Sequence, residues 1–204
     1  MKVLLISGSP RHNGNTYLAL SEVARELHRL GIDSEIVQLG AKPVRGCIAC
    51  NKCRELAQNR CIFDDDLCNR VSALMAECDA IVVGSPVYYG QPNGSVLALV
   101  QRLCYSAGSL LRGKPAAAVA VCRRGGATAT LQTLLMPFQM MNMPVVTSQY
   151  WNIVYGRDAG QAALDAEGMQ TMRTLARNMA YVLRSTEGQP RPTYEAPQPM
   201  PFIR

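Results

Sequence analysis

An open α/β sheet wound on both faces is the fold class this sequence predicts, and three observations carry it. Short apolar runs of strand length, several rich in β-branched residues, recur five times. Stretches of helical period separate them, an alternation that fits parallel strands joined by helical crossovers. Glycine- or proline-containing loops follow the first, third and fourth runs, and all three therefore open at the carboxyl edge of such a sheet, where ligands bind.

Taken in order, Val3 to Ile6 forms the first strand, which breaks at Gly8-Ser9-Pro10. After Asn13-Gly14-Asn15-Thr16 a helix begins, with Leu18, Val23, Leu27 and Leu30 on roughly one face. Asp33 to Leu39 reads as a second strand, and Ala41 to Phe63 as an irregular, cysteine-rich segment. Asp64-Asp65-Asp66 opens the next helix, since acidic residues belong in a first turn. Asp79 to Gly84 is the third strand and ends in Ser85-Pro86-Val87-Tyr88-Tyr89-Gly90. A helix from about Gly94 to Ala107 follows. Pro115 to Cys122 is a fourth strand with Arg123-Arg124-Gly125-Gly126 as its exit loop. Ala129 to Met141 is helical, with Pro137 expected to bend or interrupt it. Pro144 to Ser148 supplies a fifth strand, and Ala162 to Leu183 a long final helix. The last 20 residues hold five prolines and read as a tail or arm. The expected organisation is one domain over residues 1–185, with a cysteine-rich loop at 42–63, and an arm over 186–204.

At 204 residues, 48% apolar and 18% charged, the composition is that of a soluble globular chain with room for a substantial core. No stretch approaches the roughly 20 apolar residues that cross a bilayer, and no signal peptide is evident, so a cytoplasmic location is expected. In that compartment, eight cysteines point to metal ligands, buried apolar residues or redox thiols rather than disulfides. The net charge of +6 comes from scattered basic residues without an aromatic platform. It suits small anionic ligands better than nucleic acid.

The first strand, turn and helix form an anion cradle: backbone N–H groups converge at the helix N-terminus, where the dipole favours negative charge. Ser9, Asn15 and Thr16 can add donors, and Arg11 a fixed positive charge. Neither G-x-x-x-x-G-K-[ST] nor G-x-G-x-x-G is present. The run Gly8-Ser9-Pro10-Arg11-x-x-Gly14-Asn15-Thr16 instead resembles the flavin-phosphate loop of the NAD(P)H-dependent FMN reductase and iron–sulfur flavoprotein branch of the flavodoxin-like superfamily. That resemblance covers roughly residues 1–150. It implies a flavodoxin-like, doubly wound, five-stranded parallel sheet with FMN at its carboxyl edge. It also implies that Ser9, Arg11, Asn15 and Thr16 hold the phosphate, that Pro86, Val87, Tyr88 and Tyr89 lie against the flavin ring, and that Gly125 and Gly126 meet the ring's polar edge. A cation beside them, Arg124, would stabilise negative charge on reduced flavin.

Cys47, Cys50, Cys53 and Cys61 give the spacing C-x2-C-x2-C-x7-C. Three thiolates in a tight run with a fourth farther on fit a [4Fe–4S] cluster, although the proline that follows the last ferredoxin cysteine is missing. Tetrahedral zinc, usually held by two separated C-x2-C pairs, and metal-free thiols beside the flavin are the other readings. Cys68, Cys78, Cys104 and Cys122 lie within helix or strand patterns and are expected to be buried.

With two isolated histidines, His12 and His28, and no nucleophile set, the chemistry falls to the cofactor. The expectation is an FMN-dependent oxidoreductase. It would carry electrons from NAD(P)H to a quinone, a flavin, a nitro or azo compound, or through an iron–sulfur cluster to a redox partner protein. The alternative is an electron carrier reduced by a protein partner, with no NAD(P)H site of its own. A homodimer or homotetramer is expected, because one domain leaves the flavin face open to water. Tyr194, Met200, Phe202 and Ile203 could anchor the arm on a neighbouring subunit.

Overall fold

The computed structural model describes residues 1–196 and residue 198. Its strands and helices are β1 (Lys2–Ser7), α1 (Asn15–Arg29), β2 (Asp33–Gln38), α2 (Lys52–Leu56), α3 (Cys68–Ala76), β3 (Ala80–Tyr88), β4 (Gln91–Pro92), α4 (Gly94–Leu111), β5 (Ala116–Cys122), α5 (Ala127–Met140), β6 (Ile153–Tyr155) and α6 (Ala166–Thr186). A 3-10 turn, Gln161–Leu164, precedes the last helix. The parallel strands lie in the order β2-β1-β3-β5-β6, with β4 paired antiparallel to the end of β3. The chain therefore leaves β1 to one side and returns to the other, which puts the topological switch point between β1 and β3.

Buried alternate residues split the core into two layers. Leu4, Ile6, Ile81, Val83, Ala118 and Ala120 face α3, α4 and α5. Val3, Leu5, Val82, Ala117, Val119 and Val121 face α1 and α6. Strands buried on both faces need continuous apolar runs, which is why β1, β3 and β5 were so visible in the sequence. The alanines of β5 keep that strand slim between its two layers of helices.

Three expectations are corrected here. The edge of the sheet is not Pro144–Ser148: that segment makes a single bridge, Val145 to Ala116, while the strand proper is Ile153–Tyr155. Between them the chain leaves the ladder through a turn closed by Ser148, and Asn152 donates to the carbonyl of Ala118 at 3.0 Å. The helix expected from Asp64 starts at Cys68 instead, and the acidic run serves its approach. Asp66 accepts from the Cys68 N–H at 3.0 Å, Asp64 from Asn69 at 2.8 Å, and Asp65 pairs with Arg45 at 2.5 Å. Pro137 lies inside α5 without ending it, and the Met141 N–H still reaches the Pro137 carbonyl at 3.0 Å. A break in helical geometry falls in α4, at Ala107 (φ −132°, ψ 26°).

The arm leaves α6 and runs back over its own chain, with Arg191 donating to the Arg112 carbonyl at 3.2 Å. Of the four residues named as anchors, Tyr194 is half exposed, while Met200, Phe202 and Ile203 lie outside the described residues. No helix among the described residues is long and apolar enough to cross a membrane.

α1 and α6 are joined by a row of charges under arginine cover. Glu26, 6% exposed, accepts from Arg29 at 2.9 and 3.0 Å and from Arg177 at 2.7 Å. Hydrogen bonds from Arg29, and then from Arg177, hold its carboxyl down to about 2 from an ordinary value of 4.5. A carboxyl depressed on folding contributes stability that is complete above its unfolded pKa and lost as pH falls through the folded one. Glu26→Gln should therefore cost about 1–2 kcal/mol near neutrality, a modest figure because both arginines are more than half exposed. Urea melts across pH should show that gap narrowing between 4.5 and about 2.

Candidate functional site: a cleft at the sheet's carboxyl edge

The loops after β1, β3, β5 and β6 enclose a cleft of about 190 Å³ at the switch point. Ser9, Arg11, Gly14, Asn15 and Thr16 form one wall, Pro86, Val87 and Tyr88 another, and Val121, Cys122 and Arg123 the floor. Gly156, Arg157 and Ala159 complete it from the loop after β6. Three arginines and no carboxylate line this space, an environment that favours negative charge.

The N-terminus of α1 sets its chemistry. The residue before the helix is Gly14, which has no side chain to cap the first turn, and that turn holds no acidic residue. Its N–H groups are left for a ligand. Two other helices close themselves: Asn93 accepts from Ser95 at the start of α4, and Asp165 from Gly168 at the start of α6. The hydroxyls of Ser9 and Thr16 are buried at this point, with Ser9 Oγ accepting the Arg11 N–H at 3.1 Å. Gln38, at the end of β2, braces the loop by donating to the Ser9 carbonyl. The sequence reading had not assigned it a part.

The structure brings together seven of the residues singled out for the cofactor: Ser9, Arg11, Asn15, Thr16, Pro86, Val87 and Tyr88. Asn15 has a second task. Its Nδ2 donates to Asp158 O at 2.9 Å and its Oδ1 accepts from Ala162 N at 3.1 Å, tying the phosphate-type loop to the loop after β6.

Tyr89 is not in the cleft. Val87–Pro92 is a hairpin whose two central residues, Tyr89 (φ 50°) and Gly90 (φ 78°), both have positive φ, as a type I′ turn requires. That turn throws Tyr89 outward into full exposure. Arg124, Gly125 and Gly126 do not line the cleft either; Arg123 takes that place. Gly126 acts behind it, in a left-handed conformation (φ 86°), where an added Cβ would lie 2.6 Å from the Gly90 Cα. It lets the hairpin tip dock on the start of α5. Burial raises the pKa of the Cys122 thiol on the floor and that of Tyr155 beside it.

A second pocket lies over α4. Cys47, Cys50, Cys53 and Cys61 line it together with Ile48, Ile62, Phe63, Arg102 and Tyr105. Its loop concentrates non-glycine residues in the left-handed region: Ala49, Asn51, Ala57 and Asn59. For an L-residue other than glycine or asparagine this costs on the order of 1–2 kcal/mol, strain of the kind that gathers at binding sites. The Ala49 N–H points at Cys47 Sγ at 3.4 Å. Among the described residues no three His, Cys, Asp or Glu side chains are grouped closely enough to hold a metal ion, so the four cysteines share a pocket without forming a preassembled metal site. Of the four remaining thiols expected to be buried, Cys68, Cys78 and Cys122 are, while Cys104 is only half-buried. Burial pushes Cys68 up to about 11 and Cys104 up to about 12.

Fold and cleft together define a flavodoxin-like protein. Solved structures agree on the fold: the Trp repressor binding protein from Bacillus subtilis superposes with a TM-score of 0.64 at 18% identity, covering 85% of this chain and 98% of that one. A WrbA-like flavodoxin from Agrobacterium tumefaciens gives 0.63 at 14% identity, covering 90% and 97%. The chain belongs to the NADPH-dependent FMN reductase family, whose model matches residues 1–158. Among its relatives is an iron-sulfur flavoprotein of Methanocaldococcus jannaschii, 35% identical over 90% of this chain and 98% of the relative. An iron-sulfur flavoprotein of Archaeoglobus fulgidus is 29% identical over 92% and 98%. Membership makes this chain an FMN-dependent oxidoreductase or electron carrier.

Proposed function

We propose that the protein moves electrons from NAD(P)H through FMN to an acceptor, with the FMN phosphate held by the loop after β1. The observation that carries this reading is the uncapped N-terminus of α1 opening into an acid-free, arginine-lined cleft. Thr16, Ser9 and the first-turn N–H groups would bind the phosphate, with Arg11 over it. Pro86 to Tyr88 would seat one face of the ring, and Arg123 would lie toward its polar edge in the part first given to Arg124. FMN, when bound, takes up a hydride and releases the electrons in pairs or singly. Arg11→Ala should weaken FMN binding by about 1.5–3 kcal/mol, the scale of a lost charge-assisted hydrogen bond. Unchanged affinity in a fluorescence titration of this variant overturns the phosphate assignment.

The four cysteines extend the reading. Their number, their common pocket and their apolar surroundings suit a [4Fe–4S] cluster held by Cys47, Cys50, Cys53 and Cys61, which would supply one-electron chemistry. A small-molecule acceptor and a redox partner protein both remain outlets. The carrier reading differs in one respect: its flavin is not reduced by NADPH or NADH.

The cleft, at about 190 Å³, is smaller than the roughly 300 Å³ at which ligand pockets usually begin, so one subunit alone would enclose a flavin only in part. Tyr88, Tyr89 and Tyr155 are exposed at the same sheet edge. We extend the proposal to a homo-oligomer in which a neighbouring subunit would cover that edge, the part of the arm beyond its Arg191–Arg112 contact being a further candidate contact. Truncation after Ser185 should lower the oligomeric mass in light scattering. An unchanged mass removes the arm from assembly.

A further inference from the structure

One charged residue of α4 is turned away from water. Arg102 is 1% exposed, and its partner Asp66 is 4% exposed. Its guanidinium donates to Asp66, to the Arg45 carbonyl at 3.2 Å and to the Phe63 carbonyl at 3.3 Å. Arg45 precedes Cys47 and Phe63 follows Cys61, so one side chain grips both ends of the cysteine loop. Its Nε is fully buried and has no hydrogen-bond partner. The same residue walls the pocket that Cys47, Cys50, Cys53 and Cys61 line.

A tether alone does not account for this. Two carbonyls could be held by a neutral amide, whereas a buried ion pair is costly and a spare buried donor adds to the cost. Four cysteines line the same pocket, and an anionic group held by them would set further negative charge against the Arg102–Asp66 pair and bring sulfur acceptors to the side of the chain where Nε lacks a partner. An added electron makes such a group more negative, and a fixed cation at its wall favours that state.

We infer that Arg102 is a positioning residue for an anionic, four-thiolate iron–sulfur group in this pocket, clamping both ends of the cysteine loop and raising the group's reduction potential. The inference rests on the cluster reading above. Its test is anaerobic reconstitution with iron and sulfide of wild type, Arg102→Gln and Arg102→Lys, followed by redox titration of the cluster signal. FMN content and circular dichroism report the fold of each variant. Arg102→Gln should lower the reduced-to-oxidised ratio at fixed potential at least tenfold, a shift of 59 mV for one electron. Arg102→Lys, which keeps the charge, should restore most of it. Iron-loaded variants with wild-type potentials overturn the role of Arg102 and leave the cluster standing. Wild type that takes up no iron overturns both. Failure of both variants to fold or to keep FMN makes Arg102 a structural clamp only, and also overturns the inference.

Discussion

Cys50→Ser is expected to abolish bound iron and acid-labile sulfide while leaving FMN in place. The two sites are built from different parts of the chain: the cysteines line a pocket over α4, and the cleft is formed by loops at the carboxyl edge of the sheet. A hydroxyl in place of one of four thiolates removes a soft ligand from a set that lies on one short, strained loop. The effect should be all or none, because no other thiol lines this pocket and the neighbouring Cys68 is fully buried in the core, its pKa pushed up by burial. Iron and sulfide analysis beside flavin quantitation checks it. Loss of flavin together with iron would show that the two sites depend on one another.

Gly126→Ala is expected to unseat the hairpin that bears Tyr88. Alanine must adopt a φ of 86° and place its Cβ 2.6 Å from the Gly90 Cα, so either the hairpin or the start of α5 has to move. Backbone strain and overpacking together should destabilise the protein by about 2–4 kcal/mol. FMN should bind at least tenfold more weakly, since Pro86 to Tyr88 shift with the hairpin. Gly125→Ala is the control, because an added Cβ there meets nothing within 4 Å and the φ is not left-handed. Equal melting temperatures and equal FMN affinities for the two variants would contradict the docking role of Gly126.

These positions show what a sequence does and does not disclose. β1, β3 and β5 were legible because burial on both faces demands continuous apolar runs. The loop after β1 was legible because its donors lie within nine residues of one another. β6 was not: three residues at the sheet edge are too few to carry a period, and the paired valines of Pro144–Ser148, which make only a single bridge, read as the strand instead. Asn15 lines the cleft, but its bonds to residues 158 and 162 join positions 143 and 147 residues apart and leave no local trace. The outward turn of Tyr89 did leave a signal, since glycine next to it between two strand-like pairs marks a type I′ hairpin. Gly156 and Gly160 likewise bracket a loop that follows a strand, which is where the fourth wall of the cleft was to be sought. Of the two arginines that follow β5, Arg123 lines the cleft and Arg124 does not, and no local pattern in the loop distinguishes them.

Flavin bound in this cleft is expected to take electrons from a pyridine nucleotide. Anaerobic titration of the FMN-loaded protein with NADPH, and then with NADH, tests it most directly. The visible flavin band should bleach stoichiometrically with at least one of them and return on admission of an acceptor. A band untouched by both nucleotides yet bleached by dithionite would contradict the claim and make the protein an electron carrier.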